Sequence, residues 1–97
     1  MLSGKQRRHL RGLGHSLKDV VHVGKEGVSE GIVGAVETAL ETHELIKVRL
    51  LENAGEDRHG MAEELAQGSK SDLVQVLGRT VLLYRARKKD PAIKLPR

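Results

Sequence analysis

Two glycines separated by two residues, in Gly24-Lys25-Glu26-Gly27, give this chain its clearest chemical signal. Glycine has no Cβ, so the backbone of such a loop can turn tightly and come close to a bound group. The loop lies between a short apolar run and a helix predicted to start at Ser29. The first amides of a helix lack partners and favour an anion. The spacing therefore predicts a phosphate site, to which Lys25 adds a cation and Glu26 an opposing charge.

The same four residues also fit a plain tight connection, because glycine is the usual residue of turns. The functional alternative comes from RNA-binding domains of the KH class, which clamp nucleotides with a Gly-x-x-Gly loop. The pattern by itself leaves both interpretations open. Its position between a predicted strand and a predicted helix, in a chain with a net charge of +4, favours the phosphate site.

Charge is distributed unevenly along the 97 residues. Residues 1–25 contain six basic residues and one acidic residue, and residues 85–97 again contain six and one. The segment between them contains five basic and eleven acidic residues. This segregation indicates a basic surface for a polyanion and an acidic surface turned away from it. Charged ends that only keep a small domain soluble are the alternative.

Hydrophobic periodicity predicts the elements that position the loop. The predicted helices cover about Ser3–Leu13, Ser29–Thr42 and Glu56–Gln67, and the predicted strands Asp19–Val23, Leu45–Leu51, Leu73–Leu77 and Thr80–Arg85. Strand–helix–strand connections imply parallel pairing, and Gly78-Arg79 predicts a two-residue hairpin loop. The expected fold is one small α/β domain of order α-β-α-β-α-β-β, with three helices on a mixed four-stranded sheet.

Smaller features refine this scheme. We expect Leu10, Leu13 and Leu17 to form the apolar face of the first helix, and Gly12 and Gly14 to mark its exit. Gly68 is expected to end the third helix, and the acidic side of the second is expected to comprise Glu37, Glu41 and Glu44. The domain is placed at 1–86, and 87–97, which contains two prolines, is treated as a basic extended tail.

Other classes of function have little support. The absence of cysteine excludes a disulfide framework or a cysteine zinc site. The longest apolar run, Val81–Tyr84, is too short to span a bilayer, and no signal peptide is visible. Lys25 is not followed by Ser or Thr, so there is no P-loop. We expect a cytoplasmic monomer that is not an enzyme and uses no metal, cofactor, small-molecule substrate or membrane.

Basic positions on separate elements could combine with the loop into one surface. Lys47 and Arg49 alternate with apolar residues of the second strand, although such alternation would place charges on any half-exposed strand. Tyr84 is the one aromatic residue, so contacts to RNA would have to use backbone, arginine planes and charge. The candidate RNA-binding residues are Gly24, Lys25, Gly27, Lys5, Arg7, Arg8, Arg11, Lys47, Arg49 and Arg79.

The chain resembles YhbY-type proteins, which are stand-alone CRM (chloroplast RNA splicing and ribosome maturation) domains. The resemblance covers essentially the whole chain and is carried by Lys5–His15, Val23–Gly27, His43–Val48, Gln75–Arg85 and Lys94–Arg97. It implies an RNA-binding domain similar in its core to the C-terminal domain of bacterial translation initiation factor three.

The resemblance further implies association with precursors of the large ribosomal subunit, or with intron splicing in plant relatives. It implies RNA contacts at the Gly-x-x-Gly loop, here Gly24, Lys25 and Gly27, and at adjacent basic surface, with no catalytic residue. The expected function is therefore binding of ribosomal RNA during large-subunit assembly. The alternative is a protein adaptor that docks on a ribosomal or RNA-processing complex through its acidic helices.

Overall fold

The computed structural model describes residues 2–97. Its helices are α1 (Gly4–Gly14), α2 (Glu30–His43) and α3 (Arg58–Ser69), and its strands are β1 (Asp19–Val23), β2 (Leu45–Leu50), β3 (Asp72–Leu77) and β4 (Thr80–Tyr84). The predicted order of helices and strands is confirmed, with bounds that differ by one or two residues. Within residues 2–97, no helix is both long enough and apolar enough to cross a membrane.

The four strands form one mixed sheet in the order β1-β2-β4-β3. β1 and β2 are parallel, whereas β4 is antiparallel to both β2 and β3. Consequently the Gly24–Gly27 loop after β1, the segment after β2 and the Gly78-Arg79 hairpin all lie at one end of the sheet. In the hairpin Leu77 pairs with Thr80 and Gly78 has φ of 59°, so the predicted two-residue loop with glycine first is confirmed.

One face of the sheet packs against α2 and α3. Alternate residues of β2, namely Ile46, Val48 and Leu50, are buried on this face, as their period of two predicts. The helices contribute apolar residues at helical spacing. The helical members of this first core are Val36, Leu40, Met61, Ala62, Leu65 and Ala66.

The opposite face of the sheet is covered by α1 together with the segment that follows β4. Its buried cluster comprises Leu10, Leu45, Val74, Leu82 and Tyr84, with Leu2, Ile93 and Leu95 packed against it. Residues 85–97 contain no helix or strand, which includes the predicted tail, 87–97. They nevertheless form part of a second core, so the molecule has three layers, with the sheet in the middle.

Side-chain caps set the starts of the helices. In α1 the predicted capping box is present: the Gln6 amide donates to Ser3 Oγ at 3.1 Å, and the Ser3 amide donates to Gln6 Oε1 at 3.0 Å. Ser29 caps α2 by accepting a hydrogen bond from the Ile32 amide at 3.2 Å. This cap fixes the distance between the glycine loop and the first turn of α2.

The bounds predicted for α3 are wrong at both ends. Asp57 is the N-cap and its side chain accepts a hydrogen bond from the Gly60 amide at 3.1 Å. Aspartate is among the preferred N-cap residues and glutamate is not, so the helix begins after Asp57 and not at Glu56. At the other end α3 continues through Gly68 to a left-handed residue, Lys70, at φ of 56°. Gly68 permits close packing of α3 on α2, since a Cβ there would lie 3.1 Å from Val33 Cγ2.

The orientation of α1 also differs from the prediction. Leu10 is fully buried, but Leu13 and Leu17 are 42% and 36% exposed and line an open apolar groove of about 420 Å³. The reason is that Gly14, four residues after Leu10, faces the sheet and is buried against Leu82. Gly14 is therefore both the last residue of α1, as predicted, and a point of close approach between the helix and β4.

Two alanine substitutions in α1 test this assignment. A Cβ at position 14 would lie 2.8 Å from both Leu82 methyl carbons, whereas a Cβ at position 12 would contact nothing within 4 Å. Both changes gain helix propensity, so the difference between them isolates the clash. We expect Gly14→Ala to be less stable than Gly12→Ala by about 1–2 kcal/mol in urea denaturation. Equal stabilities would contradict the close packing of α1 on β4.

Candidate functional site

The glycine loop forms a tight turn directly after β1. The Gly27 amide donates to the Gly24 carbonyl at 2.9 Å, and Gly27 has φ of 70°. Only the second glycine is in the left-handed region that disfavours other residues. Lys25 and Glu26 are exposed at the tip. The two glycines therefore have different roles, since Gly24 has no conformational need for glycine.

The main-chain amides at the tip of this loop point away from internal partners. Within residues 2–97, the amides of Lys25 and Glu26 find no protein acceptor. The cap at Ser29 takes up the Ile32 amide and leaves the earlier amides of α2 available. The loop thus presents hydrogen-bond donors and the Lys25 cation to solvent, beside the exposed carboxylate of Glu26.

Arg79 supports the loop region from the neighbouring hairpin. Its Nε donates to the Leu50 carbonyl at 2.8 Å, and one terminal nitrogen donates to the carbonyls of Leu51 and Gly55 at 2.6 and 2.9 Å. The Leu51 amide in turn donates to the carbonyl of Val23, just before the loop, at 2.8 Å. Three of the five guanidinium donors are therefore used to hold main chain. Arg79 therefore lies at the site, where it stabilises the main chain beside the loop.

The exposed part of the sheet carries Lys47 and Arg49. Both lie on the face that α1 covers, opposite the buried Ile46, Val48 and Leu50, as predicted. Lys47 is half-buried and its Nζ donates to the carbonyl of His15 at 3.3 Å, at the end of α1. Arg49 is exposed and pairs in register with His22, two residues before the loop. The strand therefore continues the loop's positive charge along the sheet.

A hydrogen bond between two side chains of β1 flanks this strand. Asp19 Oδ2 lies 2.6 Å from His22 Nε2. The pKa of Asp19 is below its usual value, because its own main-chain amide and the His22 side chain donate hydrogen bonds to the carboxylate, and the charge of Arg49 adds a smaller effect. The carboxylate on β1 is therefore directed at His22, and Arg49 remains exposed.

The four predicted residues of α1 separate into two pairs. Arg8 and Arg11 are exposed on the outer side of the helix. Arg7 is half-buried and one of its terminal nitrogens donates to the Leu73 carbonyl, while Lys5 Nζ donates to the main-chain oxygen of Arg97 at 3.2 Å. Arg7 and Lys5 thus hold α1 to β3 and to the tail. We call Arg8, Arg11, Lys47 and Arg49 together the basic face.

Arg85 lies apart from the basic face. It contacts the acidic side of α2, with a terminal nitrogen 2.9 Å from Glu41 and the other 4.0 Å from Glu37, and it also donates to the Ser69 carbonyl at 2.5 Å. Arg85 therefore does not belong to the basic face. Opposite charges on α2 attract this arginine to the other side of the molecule.

Glu44 is the polar residue whose position was least expected. It was predicted on the acidic surface of α2, but its side chain is fully buried. Its carboxylate accepts hydrogen bonds from three main-chain amides of the tail: Arg87 at 2.7 Å, Ala92 at 2.7 Å and Ile93 at 2.9 Å. The sequence contains no local signal for this role, because the partners lie more than forty residues away. Glu44 fixes the path of the tail.

The site as a whole can bind an anion and does not present groups for catalysis. Arg49 of the basic face pairs in register with His22, two residues before the loop, and Lys47 joins β2 to the end of α1 through the His15 carbonyl. Among residues 2–97, no cluster of three or more His, Asp or Glu side chains is arranged to hold a metal ion. The chemistry available is therefore hydrogen bonding and charge neutralisation, which suits a polyanion.

Comparison with known proteins assigns the chain to a family. The chain is 46% identical over 96 residues to "Probable RNA-binding protein YqeI" of Bacillus subtilis, covering 99% of this chain and 100% of the relative. It is 42% identical over 84 residues to "Probable RNA-binding protein PA4753" of Pseudomonas aeruginosa, covering 87% and 81%. These names are those of RNA-binding proteins and not of enzymes, in agreement with the expectation from sequence.

A solved structure agrees with the fold. The solution structure of the hypothetical protein SAV1595 from Staphylococcus aureus, for which RNA binding has been put forward, matches with a TM-score of 0.85 and 41% identity. The match covers 99% of this chain and 100% of that one. The model of the CRS1 / YhbY (CRM) domain matches residues 2–85. The chain therefore belongs to the CRS1/YhbY family of CRM domains, as its sequence resemblance predicted.

Proposed function

We propose that this protein binds ribosomal RNA in precursors of the large ribosomal subunit and assists their assembly in the cytoplasm, acting as a monomer. RNA phosphates would be contacted by the loop Gly24–Gly27 and by the basic face. The proposal is supported by the RNA-binding names of the relatives. The ribosomal target follows from the YhbY-type resemblance.

The observation that carries the proposal is the continuity of the loop with the basic face. Arg49 pairs with His22 on β1, and the loop begins two residues later. Unpaired amides and Lys25 can therefore bind one phosphate while Arg49 and Lys47 attract other phosphates of the same RNA. Such neutralisation releases counterions and supplies most of the affinity for a nucleic acid, with a steep dependence on salt.

The remaining predicted residues have supporting roles in this mechanism. Arg79 braces the main chain that underlies the loop, and Arg7 and Lys5 fasten α1, which carries Arg8 and Arg11. Glu26 opposes phosphate binding at the loop tip. A carboxylate there would lower affinity for any RNA and so favour targets that also engage the basic face.

Sedimentation of a native lysate at low and high salt tests the ribosomal part of the proposal. We expect the protein to migrate with immature large-subunit particles at low salt and to be released as ionic strength rises. Mature subunits in the same gradient serve as the control. If the protein stays with the free proteins at low salt, association with ribosomal precursors is wrong, and RNA binding itself must be measured with purified components.

Substitution of Gly24 tests the loop directly. Its φ is not positive and a Cβ there would meet Asn53 Oδ1 at an ordinary 3.7 Å, so the backbone tolerates a side chain. Gly24→Asp places a negative charge where the phosphate would bind. We expect its affinity for RNA to fall roughly tenfold, because one charge-assisted contact is lost. Fluorescence anisotropy with a labelled ribosomal RNA fragment measures the change.

Gly24→Ala is the matched control for this variant. It adds the same Cβ without charge and should bind RNA almost as the unmodified protein does. Gly27 is unsuitable, because any substitution at φ of 70° also strains the turn. If Gly24→Asp and Gly24→Ala bind equally well, the loop does not contact phosphate.

A further inference from the structure

The single tyrosine of this chain does not face solvent. Many proteins that bind single-stranded RNA stack its bases on exposed aromatic side chains, each worth about 1–3 kcal/mol. The sequence contains neither phenylalanine nor tryptophan. Tyr84 is 5% exposed and packs with Leu10 and Leu45 beneath α1. Burial raises the pKa of its hydroxyl, with the charges of Glu44 and Asp72 adding to the effect, so the phenol stays neutral in its apolar site.

Guanidinium planes replace an aromatic platform only in part, since the exposed ones on the basic face are those of Arg8, Arg11 and Arg49. Four arginines are occupied by main-chain carbonyls, namely Arg7, Arg79, Arg85 and Arg87. Arg49 of the basic face has polar neighbours across the sheet, His22 on one side and Thr80 on the other. The His22 ring is itself bonded to Asp19, so a nucleotide stacked on it would bring its phosphate near a carboxylate. These side chains supply charge more readily than a surface for bases.

The entropic cost of ordering the RNA on binding differs between a single strand and a double helix. A flexible single strand loses conformational freedom when it is bound, and here stacking would not offset the loss. A double helix is already ordered, and its wide, shallow minor groove exposes phosphates and 2′-hydroxyls without unstacking any base. The four cations of the basic face are held on α1 and β2, in a molecule 38 Å long. Fixed cations match a fixed array of phosphates.

We infer that the RNA bound at this site is double-helical, and that it is recognised through its two sugar–phosphate strands with little regard to base sequence. This inference rests on the proposed function and names the form of RNA that the loop and the basic face accept. Lys25 would approach one strand of the helix and the basic face the strand across the groove.

Binding of matched RNAs to the full chain tests the inference. The probes are a blunt RNA duplex of about 16 base pairs, a length that spans more than one turn of the helix, and each of its strands alone, designed without self-complementarity. We expect the duplex to bind at least tenfold more tightly than either strand at the same salt concentration, which is about 1.4 kcal/mol. Three duplexes of unrelated sequence should bind with affinities that agree within about threefold.

The outcomes distinguish recognition of the double helix from RNA binding itself. If a single strand binds as tightly as the duplex, or if the duplex sequences differ more than tenfold, recognition of the double helix is wrong while RNA binding stands. If neither the duplex nor the strands bind at low salt, both are wrong. Tighter binding of every duplex, lost at high salt, would support both.

Discussion

Replacement of Glu44 by glutamine is expected to lower the free energy of unfolding by about 2–4 kcal/mol. The carboxylate is fully buried and accepts hydrogen bonds from the amides of Arg87, Ala92 and Ile93 at 2.7, 2.7 and 2.9 Å. Glutamine has the same shape but only one acceptor oxygen, and its NH₂ group would face an amide hydrogen. Urea denaturation followed by circular dichroism measures the loss.

Glu41→Gln is the matched control for this change. Glu41 lies on the preceding turn of α2 and its exposed carboxylate is 2.9 Å from Arg85. An exposed ion pair contributes at most about 1 kcal/mol, so this variant should be nearly as stable as the unmodified protein. Amide hydrogen exchange adds a local readout: Arg87, Ala92 and Ile93 should lose protection in Glu44→Gln alone. Equal losses in the two variants would contradict the role of Glu44 in fixing the tail.

Ionisation of the Glu44 carboxylate should also make the free energy of unfolding depend on pH. Burial alone would raise the pKa of Glu44, but three amide hydrogen bonds and the charge of Arg87 outweigh it and place the pKa below its usual value of 4.5. A carboxyl whose pKa is lowered by folding stabilises the protein above the pKa of the unfolded chain. That stabilisation is lost as pH falls from about 4.5 through the folded pKa. In Glu44→Gln this acid-dependent part should be missing, so the two stability curves should converge in acid.

The fold was predictable because its determinants are local. Alternation of Ile46, Val48 and Leu50 assigns a face to β2, and the capping box at Ser3 sets the start of α1. The glycine-first hairpin at Gly78 likewise depends on its own four residues. Each of these signals operates within a few positions of chain. Together they define the elements and their order, and the sheet follows from rules of connection.

The positions that escaped prediction depend on contacts between distant segments. Gly68 resembles a helix end in the sequence and Gly14 is one, but each also lies at a close contact with another element, Val33 of α2 and Leu82 of β4. Glu44 resembles a surface residue until the tail is placed beside it. No pattern of spacing encodes such partners, since they are set by how the layers pack.

The candidate site divides in the same way. The loop and the strand positions Lys47 and Arg49 follow from local pattern, and Arg49 lies in register with His22, two residues before the loop. Arg79 and Arg7 match the same description in sequence, yet their guanidinium groups hold main-chain carbonyls. An arginine can reach several turns of chain away, so its partner cannot be deduced from its neighbours in sequence. The charge pattern therefore predicts where the surface lies better than which cations compose it.

The double variant Lys47→Gln/Arg49→Gln is expected to weaken RNA binding by roughly tenfold to a hundredfold at moderate salt. Both residues belong to the basic face, and Arg49 is exposed beside the strand that leads into the loop. Each cation that neutralises a phosphate contributes about one unit to the slope of log affinity against log salt, so the slope should become shallower by about 1.5–2. Anisotropy titrations at several salt concentrations give both quantities.

Lys70→Gln/Lys88→Gln is the charge-matched control for that measurement. These two lysines are exposed and line a shallow pocket with Glu37 and Glu41, on the acidic side of the molecule. The control removes the same net charge, so an effect of overall charge would appear equally in both variants. We expect the control to change affinity less than about threefold and to leave the salt slope nearly intact, because its lysines face carboxylates and not phosphates. Equal weakening of the two variants would show that RNA is attracted by net charge and not bound at the basic face.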